Sequence, residues 1–207
     1  MRTIIRGLGE LFITAGLIVM LFVTYELWGT GRYTQDQQDH LGDELQRTWR
    51  ATKVTHEQVK LGKGMAMIRI PRFGDDYHFV IIEGVTRKDL RKGPGHYPGT
   101  ALPGQLGNFV VSGHRTTYSA PFNRLGELDR GDKILIDTRD EQYVYKVTDR
   151  QIVKPSATQV TAPVPLHPNR RPTKRMITLT TCHPKYSAAK RMIIFGELTS
   201  TLPRVTA

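Results

Sequence analysis

Between residues 65 and 198 the apolar residues come in short runs rich in β-branched side chains, and Gly, Pro, Asn or Asp punctuate the spaces between them. None of these runs has the length or the 3.6-residue period of a core helix, so this part of the chain must build its core from strands. Seven runs read as strands: 65–70, 78–83, 108–112, 133–137, 143–147, 176–181 and 192–198. The clearest pairing lies in 133–147, where apolar and polar residues alternate on both sides of Thr138-Arg139-Asp140, the pattern of a hairpin. Helical signals are brief, at 86–92 and 120–128. Many short strands with few helices fit a closed barrel or a sandwich.

Two stretches interrupt this texture. Residues 93–107 (GPGHYPGTALPGQLG) leave no room for regular structure. Residues 155–172 contain Pro155, Pro163, Pro165, Pro168 and Pro172. Long loops inside compact domains are usually functional or disordered. This one runs into the strand that ends at Cys182, so it is expected to wall a groove beside that strand's end.

The N-terminus is of another kind. Residues 11–23 (LFITAGLIVMLFV) are apolar except for Thr14, with Glu10 and Glu26 near the ends and Tyr25 and Trp28 following. Residues 8–28 are 21 residues, about 31 Å of helix, close to the roughly 30 Å hydrocarbon core of a bilayer. The rival reading, a cleaved signal peptide, needs small residues at a cleavage site, and Tyr-Glu-Leu-Trp does not supply them. An uncleaved anchor is the better reading. Arg2 and Arg6 place the short side in the cytoplasm and the rest of the chain outside. After the anchor, residues 29–63 are polar. Leu41, Leu45 and Trp49 recur every four residues, predicting a helix over 35–50 with one narrow apolar stripe, weakened by Gly42.

The charge is +11, from 30 Lys and Arg against 19 Asp and Glu. It fits a solvated basic face or a polyanion partner. Zinc-finger spacing, an aromatic RNA-binding signature and a basic helix are all missing from the sequence, which argues against nucleic acid. Anionic lipid or an anionic wall polymer is the better functional match. No His/Cys/Asp cluster has metal-ligand spacing, and no Gly-rich phosphate loop is present, so neither a metal nor a cofactor is expected.

Cys182 is the only cysteine. Without a partner in the chain it is either a small buried hydrophobe or a reagent. A thiol kept outside the cytoplasm carries an oxidation liability, which favours a chemical role. It ends the run Thr178-Leu179-Thr180-Thr181, and Arg191 opens the next apolar run. Adjacent strands joined by a short loop would set the two side by side as nucleophile and oxyanion donor. Arg191 has a rival in Lys190, and a plain solvent-facing arginine is the bland alternative. Seven histidines compete for the acid/base role. His114, following the buried-looking 108–113 run, is held by a rigid element. His183 would point away from the sulfur, because successive strand residues face opposite sides.

These residues resemble a known family. Thr-Leu-x-Thr-Cys at 178–182, Gly-His-Arg at 113–115 and an Arg nine residues past the cysteine are similar to the sortases. GPGHYPGTALPG (93–104) and Gly-His-Arg-Thr-Thr-Tyr followed by Ala-Pro-Phe (113–122) resemble the actinobacterial class E branch. The resemblance implies an all-β, eight-stranded barrel with short helices, preceded by a transmembrane helix and a helical stalk. The implied layout is a cytoplasmic N-terminus over 1–7, an anchor over 8–28, a stalk over 29–62, a catalytic domain over 63–200 and a tail over 201–207. It implies a single-pass protein of a Gram-positive cytoplasmic membrane with its catalytic domain outside. Cys182 would attack the Thr–Gly carbonyl of a sorting signal, His114 would act as acid and base, and Arg191 would hold the oxyanion. The implied partners are secreted proteins with a C-terminal sorting signal and a lipid-linked peptidoglycan precursor. No cofactor is needed. In class E sortases a Tyr at the position of Tyr118 goes with Leu-Ala-x-Thr-Gly signals, which makes Tyr118 a candidate substrate contact together with Ser112, Thr180 and Thr181. Two alternatives remain at this point: a cell-wall cysteine peptidase releasing free acid, and a non-enzymatic wall-binding module.

Overall fold

The computed structural model describes residues 2–50 and 60–204. Residues 51–59 of the expected stalk, with His56, and the last three residues of the expected tail lie outside the described residues.

All seven expected strands form, and an eighth joins them. β1 (Gly64–Arg69), β2 (His78–Glu83), β3 (Gly95–His96), β4 (Gly107–Ser112), β5 (Lys133–Asp137), β6 (Glu141–Val153), β7 (Arg175–His183) and β8 (Lys190–Pro203) close in the order β1-β2-β3-β4-β7-β8-β6-β5. Closure gives every strand two neighbours. Alternate residues point inward, so Ile68, Ile81, Phe109, Val111, Ile136, Ile177, Leu179 and Ile194 share one core. Phe122, Leu125 and Leu128, from the β4–β5 connection, pack into the same core.

The sequence reading needs three adjustments. The stretch at 93–107 does hold regular structure, because β3 lies between β2 (parallel) and β4 (antiparallel) and is kept extended by both. Its His96 is 1% exposed and meets Glu83 of β2, its register partner, in a buried hydrogen-bonded pair. β6 and β8 run past the expected ends because their twelve paired positions support one another, carrying β8 to Pro203 and into the expected tail. The helical signal at 120–128 yields one 3-10 turn, Leu125–Glu127, whereas that at 86–92 yields α3 (Arg87–Leu90, numbered after the two helices below) with a Thr86–Asp89 capping box.

Two helices precede the barrel. α1 (Arg2–Thr24) is long and apolar enough to span a membrane, and none of its residues is buried. The Thr14 hydroxyl donates to the Glu10 carbonyl, so the one polar residue within the apolar run is satisfied inside the helix. One π-helical segment (Tyr25–Gly29) leads into α2 (Thr30–Arg50), and the chain is helical throughout. α2 lies along the barrel. Leu41 and Leu45 pack on Val80 and Ile82, with Trp49 and Met67 beside them. Gly42 does not break the helix, since it sits where α2 crosses Val80.

One stripe residue is polar. The Gln38 amide accepts from the Val80 N–H at 2.6 Å and donates to the carbonyls of Val80 (3.2 Å) and Lys92 (2.8 Å). In effect it supplies a short edge of sheet to β2. Gln38→Ala strands three backbone groups, each costing about 1–3 kcal/mol when buried unpaired. We expect faster amide hydrogen exchange in α2 and at Val80, while β4 and β7 keep their protection. Unchanged exchange in α2 would mean that the apolar stripe alone holds it.

Candidate active site

Three neighbouring strands set the site by register. Ser112 of β4 pairs with Thr180 of β7 in parallel, and the Gly113 N–H extends the ladder by donating to the Thr180 carbonyl. His114, two residues past the end of β4, and Cys182, near the end of β7, therefore each stand two residues beyond a matched pair. In the antiparallel β7–β8 pair Cys182 lies directly opposite Arg191. His114, Cys182 and Arg191 thus run in a row across the outer face of the barrel at one end, with the cysteine in the middle.

Side-chain alternation sorts the competitors. Thr181 pairs with Met192, a core residue, so both point inward. The Thr181 hydroxyl is buried and donates to the Gly113 carbonyl at 2.8 Å. It therefore points away from the outward face that carries Ser112 and Thr180 and fixes the strand end behind His114. Lys190 pairs with His183, on the face opposite to Cys182 and Arg191. Among the other histidines, His96 is enclosed with Glu83, His78 bonds the Asp76 carbonyl, and His40 lies exposed on α2. His167 lies exposed in the Pro-rich segment. Gly113 must lack a side chain, since a Cβ there would come within 2.7 Å of the Phe122 ring.

His114 is half-buried, its ring tilted at 38° against Tyr118 with centroids 5.0 Å apart. Burial lowers its pKa below the usual histidine range, and the Arg91 charge lowers it further. The imidazole is thus neutral at pH 7. Arg91 lies over the outer part of this cluster, 5.7 Å from the Tyr118 ring centroid. On the other side of the row, Arg191 donates through Nη1 to the carbonyls of Ala188 (2.9 Å) and Lys190 (3.0 Å), which fixes the guanidinium and leaves its remaining donors without a protein partner among the described residues.

Sequence reasoning missed several supports. Arg115 is only 8% exposed, pairs with no carboxylate among the described residues, and donates through Nη1 to the Cys182 carbonyl at 3.1 Å. The same Nη1 lies 3.1 Å from Nδ1 of His183, which must then accept. Its place in Gly-His-Arg was the available signal, because a residue after an outward-facing histidine points inward. Tyr118, Ser119 and Ala120 have φ of 52°, 57° and 43°. Left-handed backbone costs non-glycine residues about 1–2 kcal/mol each, so something must hold them. α2 does part of this: the Tyr118 N–H donates to the Thr30 hydroxyl (3.3 Å) and the Ser119 hydroxyl to the Gly31 carbonyl (2.9 Å).

The Pro-rich segment flanks the same outer face. Val160 and Leu166 pack with Ile193 and Phe195, and Ile193 follows Arg191 by one outward position. Asn108 anchors the segment by donating to the carbonyls of Val160 and Ala162. A pocket of about 250 Å³ remains between it and Met176 and Phe195, toward the other end of β7.

This arrangement matches known proteins. The sortase domain family covers residues 68–199. The chain belongs to the sortase family. Sortase SrtE1 of Streptomyces coelicolor is 36% identical over 96% of the chain, which spans 58% of that relative's length. Sortase SrtE2 of the same organism is 30% identical over 94% of the chain and 81% of its own length. Among solved structures, the SrtF sortase of Corynebacterium diphtheriae superposes with TM-score 0.70 at 33% identity, covering 75% of this chain and 94% of its own. Sortase E1 of Streptomyces coelicolor, solved with a tripeptide in its active site, gives 0.64 at 37% identity over 69% and 92%. The sortase family consists of cysteine transpeptidases, and this sortase brings its one cysteine to the end of β7.

Arg91→Gln removes the cation that helps to disfavour the imidazolium, so the His114 pKa should rise toward its ordinary value near 6.5. NMR titration of the His114 ring checks this. The sign has a stability consequence. A depressed histidine pKa contributes stability that is full above about pH 6.5 and is lost as pH falls through the folded value. The variant should therefore lose less stability than the parent on acidification. A lower or unchanged pKa would remove Arg91 from the electrostatics of the site.

Proposed function

We propose that this sortase is a membrane-anchored transpeptidase that cleaves a C-terminal sorting signal between Thr and Gly through a Cys182 thioester and joins the protein to an amine of a lipid-linked peptidoglycan precursor. The observation that carries the reading is the register that sets Cys182 between His114 and Arg191 on one face. His114, neutral at rest, accepts the thiol proton as sulfur attacks the Thr carbonyl. The guanidinium of Arg191 receives the developing oxyanion. The imidazolium then protonates the departing glycine amine, leaving the thioester. In the second half the incoming amine attacks, its proton passes to His114, and His114 returns a proton to the departing sulfur. Ser112, Thr180 and Tyr118 line the peptide's path, with Tyr118 placed to meet the N–H that Ala offers and Pro lacks at the second signal position. α1 is the anchor, Arg2 and Arg6 stay in the cytoplasm, and the barrel lies outside.

The test is the full chain in detergent or vesicles with sorting-signal peptides and an amine acceptor. A thioester-mass adduct on Cys182 and an amide-linked product are expected, with Leu-Ala-x-Thr-Gly peptides outperforming Leu-Pro-x-Thr-Gly peptides. Cys182→Ala should abolish both adduct and product while melting normally. Joined product from Cys182→Ala would overturn the reading, and free acid alone despite abundant amine would favour a peptidase.

Arg191→Lys tests the oxyanion role separately. A planar fork fixed by the Ala188 and Lys190 carbonyls is poorly replaced by a point charge. Turnover should fall by on the order of 10²-fold, the scale of a lost oxyanion donor. Near-parent kcat in Arg191→Lys would reduce Arg191 to a surface charge.

A further inference from the structure

The path of α2 relates the barrel to the bilayer. At its start, Thr30 and Gly31 bond Tyr118 and Ser119, in the loop that follows His114. At its end, the Trp49 ring lies 4.3 Å beneath the Arg204 guanidinium, and Arg204 bonds the carbonyls of Arg139 and Asp140 in the β5–β6 turn. That turn is the far end of the barrel, since β6 begins there opposite Pro203 and finishes with Val153 opposite Arg191. α2 has 21 residues and so covers about 31 Å, the whole length from the catalytic end to the opposite one. α1 continues from the catalytic end of α2. Only the five residues Tyr25–Gly29 separate Thr24 from Thr30, about 9 Å of helix from one to the other, with no loop to let the barrel swing away.

The same end carries matching surface chemistry. The β7–β8 loop that follows Cys182 presents Tyr186, 82% exposed, between Lys185 and Lys190. Arg32 on α2 and Arg91 beside it are exposed as well. The acids near this end are engaged or withdrawn: Glu26 is half-buried in the π-helical segment, Asp89 is held by Thr86, and Glu127, near Lys185, is paired with Arg124. A tyrosine among lysines and arginines is the composition of a surface that rests on anionic headgroups.

We propose that the Cys182 end of the barrel is a membrane-docking surface, held against anionic lipid headgroups by the continuous α1–α2 helix. The proposal rests on reading α1 as a retained anchor. It gives the site a geometry suited to reactants that are themselves tethered in the bilayer, because the sulfur then lies within reach of the headgroup plane and the opposite barrel end stands about 31 Å further out.

The experiment uses the full chain carrying Cys182→Ala, so that one introduced cysteine takes the label, in vesicles of phosphatidylcholine with and without phosphatidylglycerol. A fluorophore is placed through Tyr186→Cys or through Asp140→Cys; both side chains are 82% exposed, so neither label disturbs packing. The quencher is a lipid spin-labelled at its headgroup. Quenching at 186 should exceed that at 140 several-fold and should weaken when phosphatidylglycerol is left out. Equal quenching at the two positions, or stronger quenching at 140, overturns the proposal, and a difference indifferent to phosphatidylglycerol overturns its charge component. Loss of the protein from the vesicle fraction overturns the anchor reading, and the proposal with it; retention with equal quenching overturns the proposal alone.

Discussion

The parallel pairing of β4 with β7 is the contact on which the rest of the molecule depends. A hairpin cannot make it, so the chain between the two strands has to travel around the barrel, laying down β5, β6 and the Pro-rich segment on the way. Once made, it closes the sheet and aligns two strand ends that are far apart in sequence. A buried polar group holds it. The Thr178 hydroxyl donates to Asn108 Oδ1, while Asn108 Nδ2 donates to the Val160 and Ala162 carbonyls, so one side chain ties β4, β7 and the Pro-rich segment together. Every member has a partner, the condition under which a buried polar network specifies one arrangement instead of weakening it.

Register then converts packing into chemistry. A one-residue slip of β7 would turn Cys182 into the core and bring Thr181 out, so the apolar face of Ile177 and Leu179 also fixes which side the sulfur occupies. The strand ends on β7 and β4 are held from behind by Arg115 on the Cys182 carbonyl and Thr181 on the Gly113 carbonyl. From outside, α2 holds the Tyr118–Ser119 backbone in a conformation that those residues do not favour alone. The Cys182 end of the barrel is therefore fixed by inside and outside contacts together, and a fragment that begins at the barrel would lose the outer one.

The strands were legible because period-2 alternation and turn residues report burial directly. Cys182 and Arg191 were legible for the same reason, as ends of two such runs. β3 was not, since two residues carry no period and are extended only because β2 and β4 flank them. α2 shows the limit most clearly. Leu41, Leu45 and Trp49 announce its apolar stripe, yet the stripe continues backward through Gln38, Thr34 and Thr30, all buried. Their burial is supported by hydrogen bonds to Val80, Lys92, Arg91 and Tyr118, which a hydrophobic pattern cannot see. Hence the helix begins earlier than its apolar residues suggest. The inward orientation of Thr181 was illegible for a related reason, since its place in the motif says nothing about which way it faces until the register is known.

The distribution of charge around the row explains why a neutral histidine suits this place. Arg91 lies near the imidazole, Arg115 behind the Cys182 carbonyl, and Arg191 across from the sulfur. Arg91 and Arg191 on the outer face favour a developing oxyanion in the proposed acyl transfer, and the Arg91 charge disfavours the one positive species, the imidazolium. A disfavoured imidazolium is a strong acid. In the proposed reaction it is poorly populated at rest, which would leave His114 free to accept the thiol proton, and once formed it would pass that proton readily to the leaving amine. Burial of the ring and the Arg91 charge act in the same direction, so one electrostatic arrangement would serve both proton transfers that the proposed reaction asks of His114.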